Sequence, residues 1–274
     1  FLMQKFYQNL YKYKIFKRLI PSIIRRLHNK NSQDVFLGNF AINLNLKSSI
    51  DREIYLKGFY DTEQINFIEN KVNLNEFDYF IDIGSNIGFY SIYLASKYEN
   101  LNIMSFEPIK ENYNQINRSV SINNYQNFNT YNYALSNTEE NKTMWVTDLR
   151  KKGGFSIYEE EDYKQEVHNN KYDESKLSKT EVETKIFDKN FEISEKKILV
   201  KIDVERHELF CLLGMKKLLK ESNNKTFIQV EITNQNKDKV FDILDDYGFK
   251  LIHTISSDEK NKSYGIDYYF TNFS

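Results

Sequence analysis

The sequence predicts an α/β protein: a mostly parallel sheet with helices on both faces, an antiparallel C-terminal strand and an N-terminal helical extension. Three observations predict it. Four short apolar runs carry acids at or near their ends, at Asp82, Glu107, Asp203 and Glu231. Most of these runs are followed by apolar residues at helical spacing, so strand and helix alternate through the body. The first run passes into Asp82-Ile83-Gly84-Ser85-Asn86-Ile87-Gly88, a glycine turn joining a strand to a helix. Such alternation implies parallel pairing, covered faces and right-handed crossovers. Ligands of these sheets bind beyond the C-terminal strand ends, where the topology switches. The four acids are therefore expected to converge on one rim.

The 274 residues suit one α/β unit with extensions, and 40% hydrophobic with 15% aromatic content supports a packed core rather than disorder. The single cysteine, Cys211, excludes an internal disulfide and a cysteine-based metal site. It fits a reducing compartment, and a cytoplasmic location is the expectation. No run reaches the ~18 apolar residues of a membrane span, and no signal-peptide pattern is present. The net charge of −1 is unevenly spread: residues 1–33 hold eight bases and no acid, leaving 30 bases against 39 acids in the body.

Taken in order, residues 4–20 fit a helix, with Phe6, Leu10, Tyr13, Phe16 and Ile20 on one face and Pro21 interrupting it. A basic amphipathic helix of this kind either packs on the domain with its bases in water or lies on an anionic membrane surface. Residues 1–59 are assigned to this arm and a strand, and residues 60–274 to the main domain. Ala41 to Leu46 alternates as a half-buried strand. Asp61 and Gln64 have capping-box spacing ahead of the stripe Ile65, Ile68 and Val72. The glycine-turn strand and a helix over 88–97 follow. Residues 103–108 read as a second strand, 111–123 as a helix and 130–135 as a third strand. Residues 139–197 are polar and weakly periodic, and are expected to be an insertion near the site. It includes Trp145, a basic-glycine patch at 150–154 and an acidic run at 159–162. Strands are expected over 198–205 and 226–232, a helix striped by Val240, Ile243, Leu244 and Tyr247, and a final pair over 251–256 and 264–273.

The turn constrains its ligand. A dinucleotide site wants G-x-G-x-x-G, with free amides around a pyrophosphate. Here the central glycine is missing and an acid stands at the strand end, which disfavours phosphate and favours a cation. S-adenosylmethionine carries an ammonium and a sulfonium and no phosphate. Glu107, ending the next strand, is placed to accept both ribose hydroxyls.

These residues carry a resemblance. Asp82-Ile83-Gly84-Ser85-Asn86-Ile87-Gly88, Phe106-Glu107-Pro108, Ala134-Leu135-Ser136 and Lys201-Ile202-Asp203-Val204-Glu205 resemble the FkbM family of S-adenosylmethionine-dependent methyltransferases. The resemblance runs from about Tyr60 to Glu231 with the motifs in the family's order. It implies the class I methyltransferase (Rossmann-like) fold and, for many members, O-methylation of sugar or polyketide hydroxyls. By position it implies that Asp82, Gly84, Ser85, Asn86 and Gly88 hold the methionine part, Glu107 and the adjoining Pro108 the ribose, and Ala134, Leu135 and Ser136 the adenine. Asp203 is a further candidate for the ligand's ammonium. One departure stands out: Arg206 follows Asp203-Val204-Glu205 where the family has glycine.

Transfer to a hydroxyl requires a positioned acceptor and a base. The candidates are Asp203, Glu205, His207 and Glu231, with His207 closest to neutral in its ordinary pKa. Asp203, His207 and Glu231 also form a potential divalent-metal set, although their spacing matches no known site. The expected acceptor is a small molecule or glycan, and no nucleic-acid motif accompanies the basic arm. Competing readings are a methyltransferase acting on RNA or protein, a cofactor-binding module impaired at Arg206, and, more distantly, a nicotinamide oxidoreductase.

Overall fold

The computed structural model describes residues 2–27, 32–146, 155–156, 178–232, 236–256 and 265–273. Its centre is a seven-stranded sheet. Four of the parallel strands come from the apolar runs: β3 (Tyr79–Ile83), β4 (Asn102–Phe106), β10 (Lys197–Ile202) and β11 (Lys225–Ile232). β5 (Phe128–Tyr131) lies parallel beside β4. β12 (Lys250–Ser256) and β13 (Ile266–Thr271) complete it, in the order β12-β13-β11-β10-β3-β4-β5. β3 lies between β10 and β4, so the chain leaves β3 toward one edge and returns toward the other. That reversal is the topological switch, and it falls at the glycine turn. β13 runs antiparallel between β11 and β12, as expected of the C-terminal strands.

Alternation along the strands builds two cores. Phe80, Ile103, Leu199, Phe227 and Tyr269 face one side, packing with α3 (Ser49–Lys57), α4 (Thr62–Lys71), α5 (Phe89–Lys97) and α6 (Lys110–Asn123). Ile81, Met104, Val200, Ile228 and Phe270 face the other, packing with α8 (Glu208–Leu213) and α9 (Lys237–Asp246). Each side chain of this size buried against a sheet contributes about 1.5–3 kcal/mol by removal from water.

Several sequence expectations are corrected. The first helix is two: α1 (Leu2–Tyr11) and α2 (Leu19–Leu27), joined by turns. Pro21 does not end a helix but sits in the first turn of α2, where its missing N–H costs nothing. The strand expected at 41–46 is β2 (Phe40–Leu44), paired with an unforeseen β1 (Gln33–Leu37) through Gly38. It is buried on both faces because α6 covers it: Asn43 N donates to Ser119 Oγ at 2.9 Å and Gln115 Nε2 donates to Asn43 O at 3.0 Å. α3, starting after Ser48, carries too mixed a periodicity to be foreseen. Asp61 makes no capping hydrogen bond and takes φ 45°. The expected strand 130–135 splits, because its second half, β6 (Ala134–Leu135), leaves the main sheet.

The polar stretch 139–197 contains regular structure. β7 (Asn141–Val146), β8 (Phe155–Ser156) and β9 (Ser178–Lys185) join β6 in a second sheet ordered β6-β9-β7-β8. α7 (Phe187–Asn190) follows. Its exposed strands alternate too weakly in apolar residues for sequence periodicity to register. Trp145 lies in β7, with Lys179 Nζ 4.0 Å from the ring centroid. The basic-glycine patch and the acidic run lie outside the described residues. No described helix is long and apolar enough to cross a membrane.

Candidate functional site

The glycine turn is held from below by the next strand. Gly84 and Ser85 both donate their amides to Phe106 O, at 3.0 and 3.1 Å, and Gly88 N returns to Ser85 O at 2.7 Å. A Cβ at Gly84 would stand 2.0 Å from Asp203 O, so only glycine lets β3 and β10 run out side by side here. Asn86 takes φ 52°, which turns its amide onto Glu107 Oε2 at 2.8 Å. Ser85 Oγ receives a hydrogen bond from Ser105 Oγ at 2.7 Å.

Glu107 is fixed from two sides. Asn86 N binds Oε2, and Ile109 N binds Oε1 at 2.8 Å, just past Pro108. Asn132 Nδ2 ties the carbonyls of Glu107 and Pro108, both at 2.9 Å. Burial pushes the Glu107 carboxyl up to about 8. Asn112 Nδ2 also approaches Oε1, at 3.5 Å, so the carboxyl is held in place and keeps its spare acceptor capacity chiefly at Oε2.

Asp82 is buried within β3, where burial raises its carboxyl. Ser91 Oγ donates to its Oδ2 at 2.6 Å, while Oδ1 has no hydrogen-bond partner among the described residues. Beside it in register stands Lys201, also buried. Lys201 Nζ lies 2.8 Å from Asp203 Oδ2 and 4.9 Å from the Tyr90 ring centroid. Burial alone would lower the Lys201 ammonium, but the charges of Asp203 and Asp82 outweigh it and hold it above its ordinary range. Reciprocally, burial would raise the Asp203 carboxyl, yet Lys201 and a hydrogen bond with Glu231 hold it below. Lys201, on the Asp203 side, thus favours Glu231 as the partner that holds the pair's proton, and the Asp203 charge is the chief cause that raises the Glu231 carboxyl. A Cβ at Gly265 would stand 2.3 Å from Glu231 Cγ, so the start of β13 backs this side chain closely.

Asp61 completes the group from the far side. Burial pushes its carboxyl up to about 7, and Tyr90 OH lies 3.4 Å from its Oδ2. It occupies the N-cap position, but its side chain serves the rim instead.

The corner after Asp203 departs from expectation. Glu205 is exposed and takes φ 45°, and Arg206 takes φ 76°. The backbone thus keeps the left-handed shape that suits glycine although arginine occupies it. Arg206 N donates to Glu208 Oε1 at 2.7 Å, and Asn236 Nδ2 to Arg206 O at 2.8 Å, which hold the turn.

His207 turns away from the rim. It is 5% exposed, with Nε2 3.0 Å from Ser136 Oγ. Burial lowers its imidazole to about 4, so it is neutral and weakly basic near pH 7. Asp203, His207 and Glu231 are consequently not gathered as a metal set, and no such group of three occurs among the described residues. Ala134, Leu135 and Ser136 are buried under α8: Cys211 Sγ donates to Leu135 O at 3.1 Å, and a Cβ at Gly214 would stand 2.1 Å from Ser136 O.

The structure thus brings Asp82, Asp203 and Glu231 together around Lys201, with Glu107 across the glycine turn. Sequence reading gave Lys201 and Tyr90 no role and missed Gly265, Asp61's part at the rim and Gln229, whose Nε2 lies 3.4 Å from Tyr90 OH. A polar residue inside an otherwise apolar strand run, Ile198-Leu199-Val200-Lys201-Ile202, was the available signal for Lys201. The residues fit S-adenosylmethionine: an orphaned buried carboxylate oxygen on Asp82 suits a cation, and the anchored Glu107 suits a ribose diol.

Comparison with known proteins agrees with this geometry. A profile of the methyltransferase FkbM domain matches residues 82–251. No curated protein matches significantly. Among solved structures, the methyltransferase FkbM of Methylobacillus flagellatus KT is 13% identical, with 79% of this chain aligned to 52% of that one at a TM-score of 0.49. This chain therefore spans about half the length of that structure. A Pyrococcus horikoshii protein described only as a proposed transferase is 9% identical, covering 94% and 84% at a TM-score of 0.50. Trm5b from Pyrococcus abyssi is 9% identical, covering 89% and 56% at 0.49. With the domain profile extending over most of the chain and the glycine turn, acid rim and strand order in place, the protein belongs to the FkbM methyltransferase family.

Proposed function

We propose that the protein transfers a methyl group from S-adenosylmethionine to a hydroxyl of a sugar or another small glycan-like acceptor. The observation that carries the hydroxyl reading is the Asp203–Glu231 carboxyl pair beside buried Lys201 at the open end of β10 and β11. The cofactor, when bound, supplies a methyl carbon already activated by its sulfonium. What remains for the protein is orientation and removal of one proton. Glu107 would hold the ribose, and Asp82 would favour the cationic end. Asp203, kept ionised by Lys201, accepts a hydrogen bond from the acceptor hydroxyl and takes its proton only as the new carbon–oxygen bond forms and makes that oxygen strongly acidic, so that a weak base suffices, while Glu231 hydrogen-bonds Asp203. Glu205, exposed on the rim, faces acceptor rather than cofactor. His207 positions the turn through Ser136 and takes no proton. An impaired module is disfavoured because Arg206 leaves the backbone of the corner in the shape glycine would take.

Thermal melting with S-adenosylhomocysteine and with NAD tests the cofactor: the former is expected to raise the melting temperature and the latter to leave it unchanged. Labelled-methyl transfer to a glycan panel then tests the acceptor. Asp203→Asn is expected to lower turnover by on the order of a hundredfold or more, and His207→Gln to keep most of it. Full turnover in the Asp203 variant would remove the assigned base.

A further inference from the structure

We propose that residues 2–27 dock the protein on the surface of an anionic lipid bilayer. Of the eleven large hydrophobic side chains exposed among the described residues, seven lie in this arm: Met3, Phe6, Tyr13, Ile15, Leu19, Ile23 and Leu27. Of the remaining four, Phe210 and Leu213 share α8, and Phe36 and Leu251 stand singly in β1 and β12. Ile15 is 73% exposed and Leu27 61%, which is the exposure of residues that contribute nothing to the fold. Soluble surfaces rarely gather apolar side chains this densely without a use for them.

The arm is not a loose tail whose exposure follows from disorder. Ile20 and Ile24 are buried in the same core as Ile54, Tyr55 and Leu56. Gln8 Nε2 donates to Tyr55 O at 2.9 Å. The inner face is therefore anchored to α3, and the outer face is held outward. Leu19, Ile23 and Leu27 follow at four-residue spacing and share one outward stripe of α2.

Charge identifies the occupant. Lys5, Lys12, Lys14, Lys17, Arg18, Arg25 and Arg26 are all exposed on the same segment, and residues 1–33 contain no acid. Apolar side chains that dip below the headgroups, ringed by bases that meet lipid phosphates, form the interfacial pattern of a peripheral membrane helix. A second copy of the arm would oppose like charges across the contact. Nucleic acid would meet the bases but leave the aliphatic stripe in water. The face has a place in the architecture too. α3, on which the arm rests, ends at Gly58 and leads directly into Tyr60 and Asp61 of the rim.

Co-sedimentation of the full chain with vesicles tests this, independently of methyl transfer. Binding is expected to vesicles mixing phosphatidylglycerol into phosphatidylcholine, to be absent with phosphatidylcholine alone, and to weaken as salt is raised. The triple variant Leu19→Ser, Ile23→Ser, Leu27→Ser and the triple variant Lys14→Gln, Lys17→Gln, Arg18→Gln are each expected to bind roughly tenfold or more weakly at an unchanged melting temperature. If either variant melts early, hydrogen exchange on the unaltered chain replaces it: vesicles should slow exchange in residues 12–27 and leave β10 unchanged. No binding to phosphatidylglycerol vesicles, binding indifferent to both variants, exchange in residues 12–27 unaltered by vesicles, or a dimer that occludes the arm would each overturn the proposal.

Discussion

The two faces of the central sheet are equally buried but chemically unlike. On the α8–α9 side, Ile81, Ile83, Met104, Phe106, Val200, Ile202, Ile228, Val230 and Ile232 form an unbroken apolar layer. On the α4–α5 side, apolar residues hold only the N-terminal half of the strands. Toward the C-terminal ends a polar row crosses four strands in register: Ser105 beside Asp82, Asp82 beside Lys201, Lys201 beside Gln229. Gln229 Nε2 then reaches Asp267 Oδ1 at 2.7 Å, and Gln64 Nε2 reaches Asp267 Oδ2 at 3.1 Å. Burying such groups costs free energy unless each finds a partner. Partners are incomplete here: Asp82 Oδ1, Gln229 Oε1 and Tyr269 OH have no hydrogen bond among the described residues. One face has been shaped by stability alone. The other keeps charged groups in a dry place next to the glycine turn, which is the condition for strong electrostatics at a reacting centre.

The largest effect should come from removing the cation that balances the polar face. Lys201→Met leaves Asp82 and Asp203 facing one another's charge without compensation, and is expected to destabilise by roughly 3 kcal/mol in urea unfolding. Ile202→Val, one residue on and facing the apolar layer, should cost only about 1 kcal/mol. Adding Asp82→Asn to Lys201→Met should recover part of the loss, because the two residues are coupled. If Lys201→Met proves no costlier than Ile202→Val, the two faces are energetically alike and the electrostatic account of the row is wrong.

That contrast also explains what the sequence could disclose. Strands made of apolar runs, and the turn Asp82 to Gly88, are encoded locally, so the parallel sheet was legible from periodicity, and the cofactor end from the acid at the turn together with the family resemblance. Lys201 was not, because one lysine in an apolar run acquires meaning only when β3 brings Asp82 alongside. Asp61 was read as a helix cap since its local spacing fits one; Tyr90, 29 residues later, draws it elsewhere. His207 was read as a base from its ordinary pKa, but its burial against Ser136, which follows β6, is a tertiary fact. The sheet within 139–197 is not visible in the sequence because β7 and β9, although they are its inner strands, are largely polar, with little alternation to detect.

Acid–base behaviour offers a finer test on the polar side of the turn. Glu107 is raised from 4.5 to about 8, so between those values the folded state binds more protons than the unfolded. Its contribution to stability is fully present below 4.5 and is lost as pH rises toward 8. Asp61 and Glu208, both raised by burial to about 7, act in the same direction. His207, lowered by burial from 6.5 to about 4, acts oppositely: stability is lost as pH falls through that interval. Above pH 7 Glu107 is therefore the main contributor to the slope among these four. Unfolding free energy of the cofactor-free protein should fall between pH 7 and 8, by at most about 1.4 kcal/mol per pH unit for one group, and Glu107→Gln should make that fall shallower without abolishing it, because Glu231, raised chiefly by the Asp203 charge, acts in the same direction. An equal slope in the variant would show that Glu107 ionises normally in the folded protein.

The smallest effect should come from the corner where this chain departs from its family. Arg206 holds φ 76°, a conformation that costs a side-chain-bearing residue roughly 1–2 kcal/mol. Glycine would relieve that strain but adds freedom to the unfolded chain, a penalty of ~0.5–1 kcal/mol. The net expectation for Arg206→Gly is a gain of up to about 1.5 kcal/mol, whereas Arg206→Ala, which keeps a Cβ, should gain nothing. Turnover distinguishes the reason for retaining arginine. If the rim needs the side chain, Arg206→Gly will raise stability while lowering kcat/KM for the acceptor and leaving S-adenosylhomocysteine affinity unchanged. If stability and turnover rise together, arginine is a tolerated substitution within an intact turn, and acceptor recognition does not depend on its side chain.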